Sequence, residues 1–169
     1  MFSKRLVCVV LICLFASQLV LAKDMKATYF GGTVADFKDS KDPIEGTLII
    51  SDETAMKYIA TDKKFVGKSL EIPYKDFIDL EYGQKAGRRV GAAAASFVLL
   101  GPVGLLFLLS KKRKHYLTIG YKDKDGKEQA VILQIDKNDI RETLTVIQAR
   151  SGKKVTYQDD EAKKSGSGN

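Results

Sequence analysis

Few side chains in this sequence are placed to carry out catalysis. The chain has one histidine, His115, so a site with several histidine ligands cannot be built. His115 follows four basic residues and precedes a predicted strand, a position more typical of a solvated or interfacial ring than of a general base. Neither a Ser-His-Asp spacing nor a nucleophile elbow is visible. We therefore expect no catalytic residue and no enzymatic activity.

The acidic residues do not predict a cation site. The turn Asp123–Gly126 begins like a calcium-binding loop, but Gln134 stands where such a loop needs a glutamate. The acids Asp159–Glu161 are consecutive in a polar stretch, and we interpret them as solvated charge. We expect neither a metal ion nor another cofactor.

The N-terminus has the order of a secretory signal. A basic start is followed by an apolar run over residues 6–15 and by small residues up to Ala22, after which we expect cleavage. An uncleaved signal anchor is the alternative. Both cysteines, Cys8 and Cys13, lie in residues 1–22, so the mature chain would have no disulfide and no thiolate metal site. This pattern predicts export to the periplasmic or extracellular face of the cell envelope.

The most informative stretch is Val90–Ser110, which is apolar and contains no charged residue. About 20 such residues could cross a hydrocarbon core of about 30 Å as one helix. However, Gly101-Pro102-Val103-Gly104 stands at its middle, and Gly and Pro together are a strong turn signal. The segment is therefore predicted to be either one transmembrane helix or a hairpin of two half-length helices.

Basic residues are concentrated on both sides of this segment. Between Tyr82 and Tyr121 there are seven Lys and Arg residues and no Asp or Glu, in a chain of formal net charge +7. This localisation favours anionic lipid headgroups over nucleic acid as a partner. The expected headgroup contacts are Arg88, Arg89, Lys111, Lys112, Arg113 and Lys114. The expected membrane-inserting residues are Phe97, Val98, Leu99, Leu100, Gly101, Pro102, Val103, Leu105, Leu106, Phe107, Leu108 and Leu109.

The sequence around the segment predicts half-buried antiparallel strands, because apolar and polar residues alternate between turn signals. The predicted strands are 27–30, 33–37, 46–51, 55–60, 68–74, 77–82, 116–121 and 128–135. Gly31-Gly32 is predicted to be a bulge or turn, and Asp125-Gly126 a hairpin turn. Tyr82 and Tyr116 are expected in the strand core, with a membrane-interface position as the alternative.

One amphipathic helix is predicted after the last strand. Asp136 or Asn138 can cap it, apolar residues recur at positions 140, 144 and 147, and Gly152 can end it. The stretch from Gln158 to Asn169 has no apolar anchor, so we expect residues 153–169 to form a disordered polar tail.

The order of these elements resembles a pleckstrin-homology-like domain of the bacterial, GRAM-related kind. The matching stretches are GTLIISDETAMKYIA, LEIPYKDFIDLEYG, HYLTIGYKDKDGKEQAVILQI and DKNDIRETLTVIQARSG. In that family, a turn like Ile72–Ile78 joins the central strands, and a C-terminal helix plugs one end of a bent sheet.

The resemblance covers about Gly46–Gly152 and implies a mainly β (α+β) fold. This fold would be a bent antiparallel sheet or partly open barrel with a C-terminal α-helix. The chain departs from the family by an apolar helical hairpin, expected over residues 88–114, which interrupts the fold between two strands that should be neighbours. Residues 23–45 would add N-terminal strands and a loop. The family resemblance also implies binding to membranes or proteins.

The position of the insertion favours the hairpin. If the strands on its two sides belong to one sheet, both ends of the segment lie on the same side of the membrane. A chain that turns at Gly101-Pro102 returns to that side, and each half reaches about 15 Å, half a bilayer. We therefore expect a non-catalytic, membrane-associated module that binds lipid or protein.

Two alternatives remain open. One is a type I single-pass protein with residues 90–110 as the transmembrane helix, favoured by four basic residues after the segment against two before it. The other is a soluble secreted scaffold whose apolar segment is an oligomer interface.

Overall fold

The computed structural model describes residues 24–38, 40, 42–84 and 114–167, which form one eight-stranded sheet and two α-helices. The strands are β1 Met25–Gly32, β2 Ile44–Ile49, β3 Ala55–Ala60, β4 Ser69–Pro73, β5 Phe77–Gly83, β6 His115–Lys122, β7 Glu128–Ile135 and β8 Val155–Tyr157. The helices are α1 Ile140–Ser151 and α2 Asp160–Ser167, and short 3-10 helices span Ala35–Phe37 and Tyr74–Asp76. The predicted signal peptide lies outside the described residues.

The sheet consists of two meanders joined at the centre. Its order is β4-β3-β2-β1-β7-β6-β5-β8, so β1 pairs with β7 and links strands β1–β4 to strands β5–β7. Neighbouring strands are antiparallel except for β8, which runs parallel to β5. The prediction of a mainly β fold is confirmed, and so is the predicted β6–β7 hairpin; β2 and β3, consecutive in the chain, pair in the same antiparallel way.

The glycine pair at the end of β1 forms the predicted bulge. The register between β1 and β7 shifts between Tyr29 and Gly31. Gly32 has φ of 148°, and a Cβ atom there would lie 2.4 Å from the carbonyl oxygen of Ala130. Glycine is therefore required at this position. The expected strand over residues 33–37 is instead the 3-10 helix, because the buried residues Val34 and Phe37 are three positions apart.

The main core lies on one face of the sheet and is covered by α1. Fully buried strand residues, including Leu117 and Leu133, meet the helix residues Ile140, Leu144 and Ile147 in one cluster. These three helix positions confirm the predicted amphipathic pattern.

The predicted end of α1 is also confirmed. Gly152 has φ of 67°, in the left-handed region that favours glycine, and its N–H donates to the carbonyl of Gln148 at 2.9 Å.

Strand β5 departs from simple alternation. The register between β5 and β6 shifts between Phe77 and Asp79. As a result, Phe77 is 2 % exposed and joins the core, whereas Ile78 is only half-buried. Ile78 therefore does not share the buried face with Leu80 and Tyr82, as strict alternation along the predicted strand 77–82 would require, since a bulge adds one residue to the strand.

The C-terminal stretch is ordered where the sequence predicts a disordered tail over residues 153–169. Strand β8 pairs with β5, and α2 follows it. Asp159 is a helix cap, not simply solvated charge, because its Oδ1 accepts a hydrogen bond from the N–H of Ala162 at 2.8 Å. Ala162 and Gly166, four positions apart, are buried and form the inner face of α2. Small residues allow this helix to approach aromatic rings closely, so no large apolar anchor is needed.

Replacing Tyr58 with Phe tests the polar contacts that join β1, β2 and β3. The fully buried Tyr58 hydroxyl donates to the carbonyl of Ile44 at 2.6 Å and accepts from the N–H of Tyr29 at 3.3 Å. Tyr58→Phe should lower the free energy of unfolding by about 1–2 kcal/mol in denaturant titrations, since it leaves buried groups without their partner. The buried Tyr74 hydroxyl makes no hydrogen bond of normal geometry to a described residue, although Arg150 lies over the Tyr74 ring at 5.8 Å, so Tyr74→Phe should cost less than Tyr58→Phe. Equal losses in both variants would contradict this prediction.

Candidate functional site

The two ends of the apolar insertion meet at one place in the sheet. The chain leaves β5 at Gly83 and Gln84, and it returns to β6 through Lys114 and His115; we call these four residues the insertion base. Gly83 pairs with Tyr116 in the antiparallel ladder between β5 and β6. The expectation that the strands on both sides of the insertion belong to one sheet is therefore confirmed.

Most of the predicted membrane contacts lie outside the described residues. This applies to all the predicted inserting residues, Phe97–Leu109, and to Arg88, Arg89 and Lys111–Arg113. Lys114 is described: it is half-buried, and its Nζ lies 5.4 Å from the centre of the Phe30 ring, within cation–π range. Within residues 24–84 and 114–167, no helix has the length and apolar composition to cross a bilayer.

His115 is buried, so of the two expected positions, solvated or interfacial, the solvated one is wrong. The residue is 8 % exposed, and its ring stacks on that of Tyr82 with centroids 6.0 Å apart and planes 7° from parallel. The Tyr82 hydroxyl oxygen lies 2.5 Å from His115 Nδ1. Sequence reasoning missed this pair because its members are 33 positions apart, on either side of the insertion.

Burial also determines the protonation of this pair. It lowers the pKa of His115, and the nearby Lys137 lowers it further while Asp136 opposes the shift. Burial raises the pKa of Tyr82. A neutral ring whose Nδ1 accepts the Tyr82 hydroxyl proton carries its own proton on Nε2. Both aromatic residues are thus neutral near physiological pH.

The tyrosines beside the insertion are packed inside the protein. Tyr82 is fully buried in the main core, as expected for a strand residue. Tyr116 is 4 % exposed and lies edge-on to Phe30, with ring centroids 5.2 Å apart.

The C-terminal elements hold the insertion base in place. Gln84 Nε2 donates to Ser165 Oγ on α2 at 2.6 Å, and Arg141 Nε on α1 donates to the Ser165 carbonyl at 3.1 Å. Just after β8, the N–H of Gln158 donates to the carbonyl of Tyr82 at 3.0 Å. The point where the chain leaves β5 is therefore fixed by both helices.

A cleft of about 500 Å³ opens beside the insertion base. The described residues that line it are His115, Lys137, Asn138, Arg141, Lys164 and Ser165. Three of them are cations. Among the described residues, no carboxylate lies within salt-bridge distance of Lys137, Arg141 or Lys164. The described lining has no acidic member, so it offers hydrogen-bond donors and positive charge to an anion.

The sequence gives only a weak signal for this cleft. Lys137 and Arg141 are four positions apart, but Lys164 belongs to the stretch that was expected to be disordered. In the part of the chain that the structure describes, no group of three or more His, Cys, Asp or Glu residues could hold a metal ion. Binding of an anion is therefore the chemistry that these residues support best.

The pH dependence of stability tests the burial of His115. Because the folded pKa is lowered, the unfolded chain binds more protons than the folded chain as the pH falls through about 6.5. The free energy of unfolding should therefore decrease from neutral to mildly acidic pH. His115→Gln should remove most of this slope in urea titrations at several pH values, whereas Lys122→Gln, an exposed change on the same strand, should retain it. Parallel pH profiles for the wild type and His115→Gln would contradict this prediction.

Comparisons with models of protein families and with curated proteins give no match for this chain. No model of a known protein family matches it. A search of curated proteins likewise finds no significant similarity. The functional interpretation therefore depends on the geometry, burial and charge of the insertion base and of the cleft beside it.

Proposed function

We propose that the protein is a non-catalytic, membrane-associated binding module of the cell envelope. In this proposal residues 88–114 form an apolar hairpin with basic flanks, which anchors a pleckstrin-homology-like domain to anionic lipids. The observation that carries the proposal is the pairing of Gly83 with Tyr116 across β5 and β6.

The pairing favours a hairpin over a single crossing. One membrane crossing would separate the ends of the insertion by about 30 Å of hydrocarbon. Paired strands lie about 5 Å apart, so a folded β5–β6 ladder needs both ends on the same side. A hairpin meets this requirement without breaking the sheet. The type I single-pass alternative would separate β5 from β6 and break the sheet.

The basic residues on both sides of the insertion support contact with an anionic surface. Each Lys or Arg close to such a surface contributes up to about 1 kcal/mol. Lys114, the described member of this group, directly precedes His115 and therefore lies at the insertion base. The flanks of a hairpin anchored here would lie at the level of the lipid headgroups.

The sheet and its covering helix support the resemblance to pleckstrin-homology-like domains in part. The proposal draws on an antiparallel sheet that is followed in the chain by α1. The parallel strand β8 and helix α2 are additions to that pattern. The resemblance extends the proposal to a lipid or protein ligand, while the anchoring itself depends on the insertion.

Side-specific labelling tests the hairpin. Single cysteines at Ser69, before the insertion, and at Lys124, after it, would be exposed on the folded domain. A membrane-impermeant maleimide applied to intact cells and to opened envelopes should label both positions from the same face. Labelling from opposite faces would exclude the hairpin.

Vesicle flotation tests the basic flanks. Replacing the six predicted headgroup residues, Arg88, Arg89 and Lys111–Lys114, with Gln should weaken binding to anionic vesicles by at least about tenfold. Raised salt should weaken binding of the wild type for the same reason. A matched control removes the same charge from exposed lysines elsewhere: Lys63, Lys64, Lys75, Lys122, Lys124 and Lys154. Equal flotation of both variants, unchanged by salt, would remove the basis for a headgroup contact.

A further inference from the structure

The cleft beside the insertion base has the chemistry of an anion site. All six described side chains that line it can donate a hydrogen bond, and three of them carry a permanent positive charge. Placing three cations around one cavity without a carboxylate partner among the described residues costs electrostatic energy, which a bound anion would offset. The volume of about 500 Å³ lies within the range of small-ligand sites.

Arg141 is held in a position that suits an anion with several oxygens. Its Nε donates to the Ser165 carbonyl at 3.1 Å, which ties the guanidinium to α2. The Nη1 and Nη2 groups bond to none of the described residues, and a guanidinium pairs with phosphate through two parallel hydrogen bonds. Lys137 and Lys164, both exposed, supply charge from the loop before α1 and from α2.

We infer that this cleft binds a phosphate group. Phosphate matches the site because it has several acceptor oxygens and a charge that two lysines and one arginine can neutralise. The phosphate can come from an anionic lipid headgroup or from a free phosphorylated molecule. Only the lipid source rests on the proposed function. The cations and donors of the cleft belong to α1, α2 and their neighbours, so binding of phosphate itself does not depend on the membrane anchor.

The location of the cleft favours the lipid source. His115 is both a wall of the cleft and part of the insertion base. Gln84, at the other end of the insertion, donates to Ser165, which also lines the cleft. A domain anchored by the insertion would therefore hold this cleft close to the layer of lipid phosphates.

The single histidine provides an isolated reporter for the test. Because His115 is the only histidine in the chain, its ring signals in NMR spectra need no separation from others. Inorganic phosphate is added to the full chain, kept in a maltoside detergent that contains no phosphate. The chemical shifts of the His115 ring should change as phosphate is added and reach a plateau. Equal concentrations of chloride should not cause this change.

Two double variants distinguish phosphate binding in the cleft from nonspecific electrostatic attraction to the protein. Lys137→Gln combined with Lys164→Gln should weaken phosphate binding by about tenfold for each charge removed. Both lysines are exposed, so the fold should persist, which thermal unfolding verifies. The control, Lys63→Gln combined with Lys64→Gln, removes the same charge from the loop between β3 and β4 and should bind like the wild type. Equal binding by the two double variants, or no phosphate-dependent shift in the wild type, would overturn the inference.

A vesicle flotation assay distinguishes the two sources of phosphate. If the source is lipid, adding phosphatidic acid to phosphatidylcholine vesicles should increase flotation of the wild type more than that of the cleft variant. If both proteins respond equally while the His115 shift persists, the lipid source is overturned and a free phosphorylated molecule is the ligand. Failure of every protein to float, with the shift intact, would overturn the membrane proposal but not the cleft.

Discussion

The pairing of β5 with β6 is the constraint on which the rest of the structure depends. These strands carry Leu80, Tyr82, Leu117 and Ile119 into the core, and they are adjacent although an apolar stretch separates them in the chain. Extending a two-residue turn to a loop of about 30 residues costs only about 2 kcal/mol in closure entropy. Burial of several large side chains can offset this amount. The sheet can therefore tolerate a long insertion at this turn.

The same pairing explains why polar groups collect around the insertion. A short hairpin turn would close the end of the β5–β6 ladder directly, whereas here a long stretch of sequence separates the two strands. Next to the last pair of this ladder, Gly83 and Tyr116, the side chains of Tyr82 and His115 form a stacked, hydrogen-bonded pair. Gln84, Ser165 and Arg141 extend this polar contact to both helices. The cleft is the open space that remains between these supports.

Elements with local signals could be predicted from the sequence. The Asp-Gly turn determined the β6–β7 hairpin, and the spacing of Ile140, Leu144 and Ile147 determined α1. These features depend on residues within one or two turns of each other, so periodicity reveals them.

Features that depend on distant partners could not be predicted in this way. The inner face of α2 has only Ala162 and Gly166. Such small residues do not indicate a packed face by themselves, because the contact depends on the rings of Tyr82 and Tyr157. The cleft needs Lys137 and Lys164, which are brought together by tertiary packing. A local sequence pattern does not indicate contacts between residues that are far apart in the chain.

The hydrogen bond between Gln84 and Ser165 also has a consequence for biogenesis. Its partners are 81 positions apart, and Ser165 follows every strand of the sheet in the chain. Domains form from the N-terminus onward as the chain is made, so the apolar segment emerges long before α2 can reach it. Until then the insertion has strands β1–β5 on one side and no completed support on the other. During that interval an exposed apolar segment is prone to aggregation, because the contacts that complete the insertion base have not yet been made.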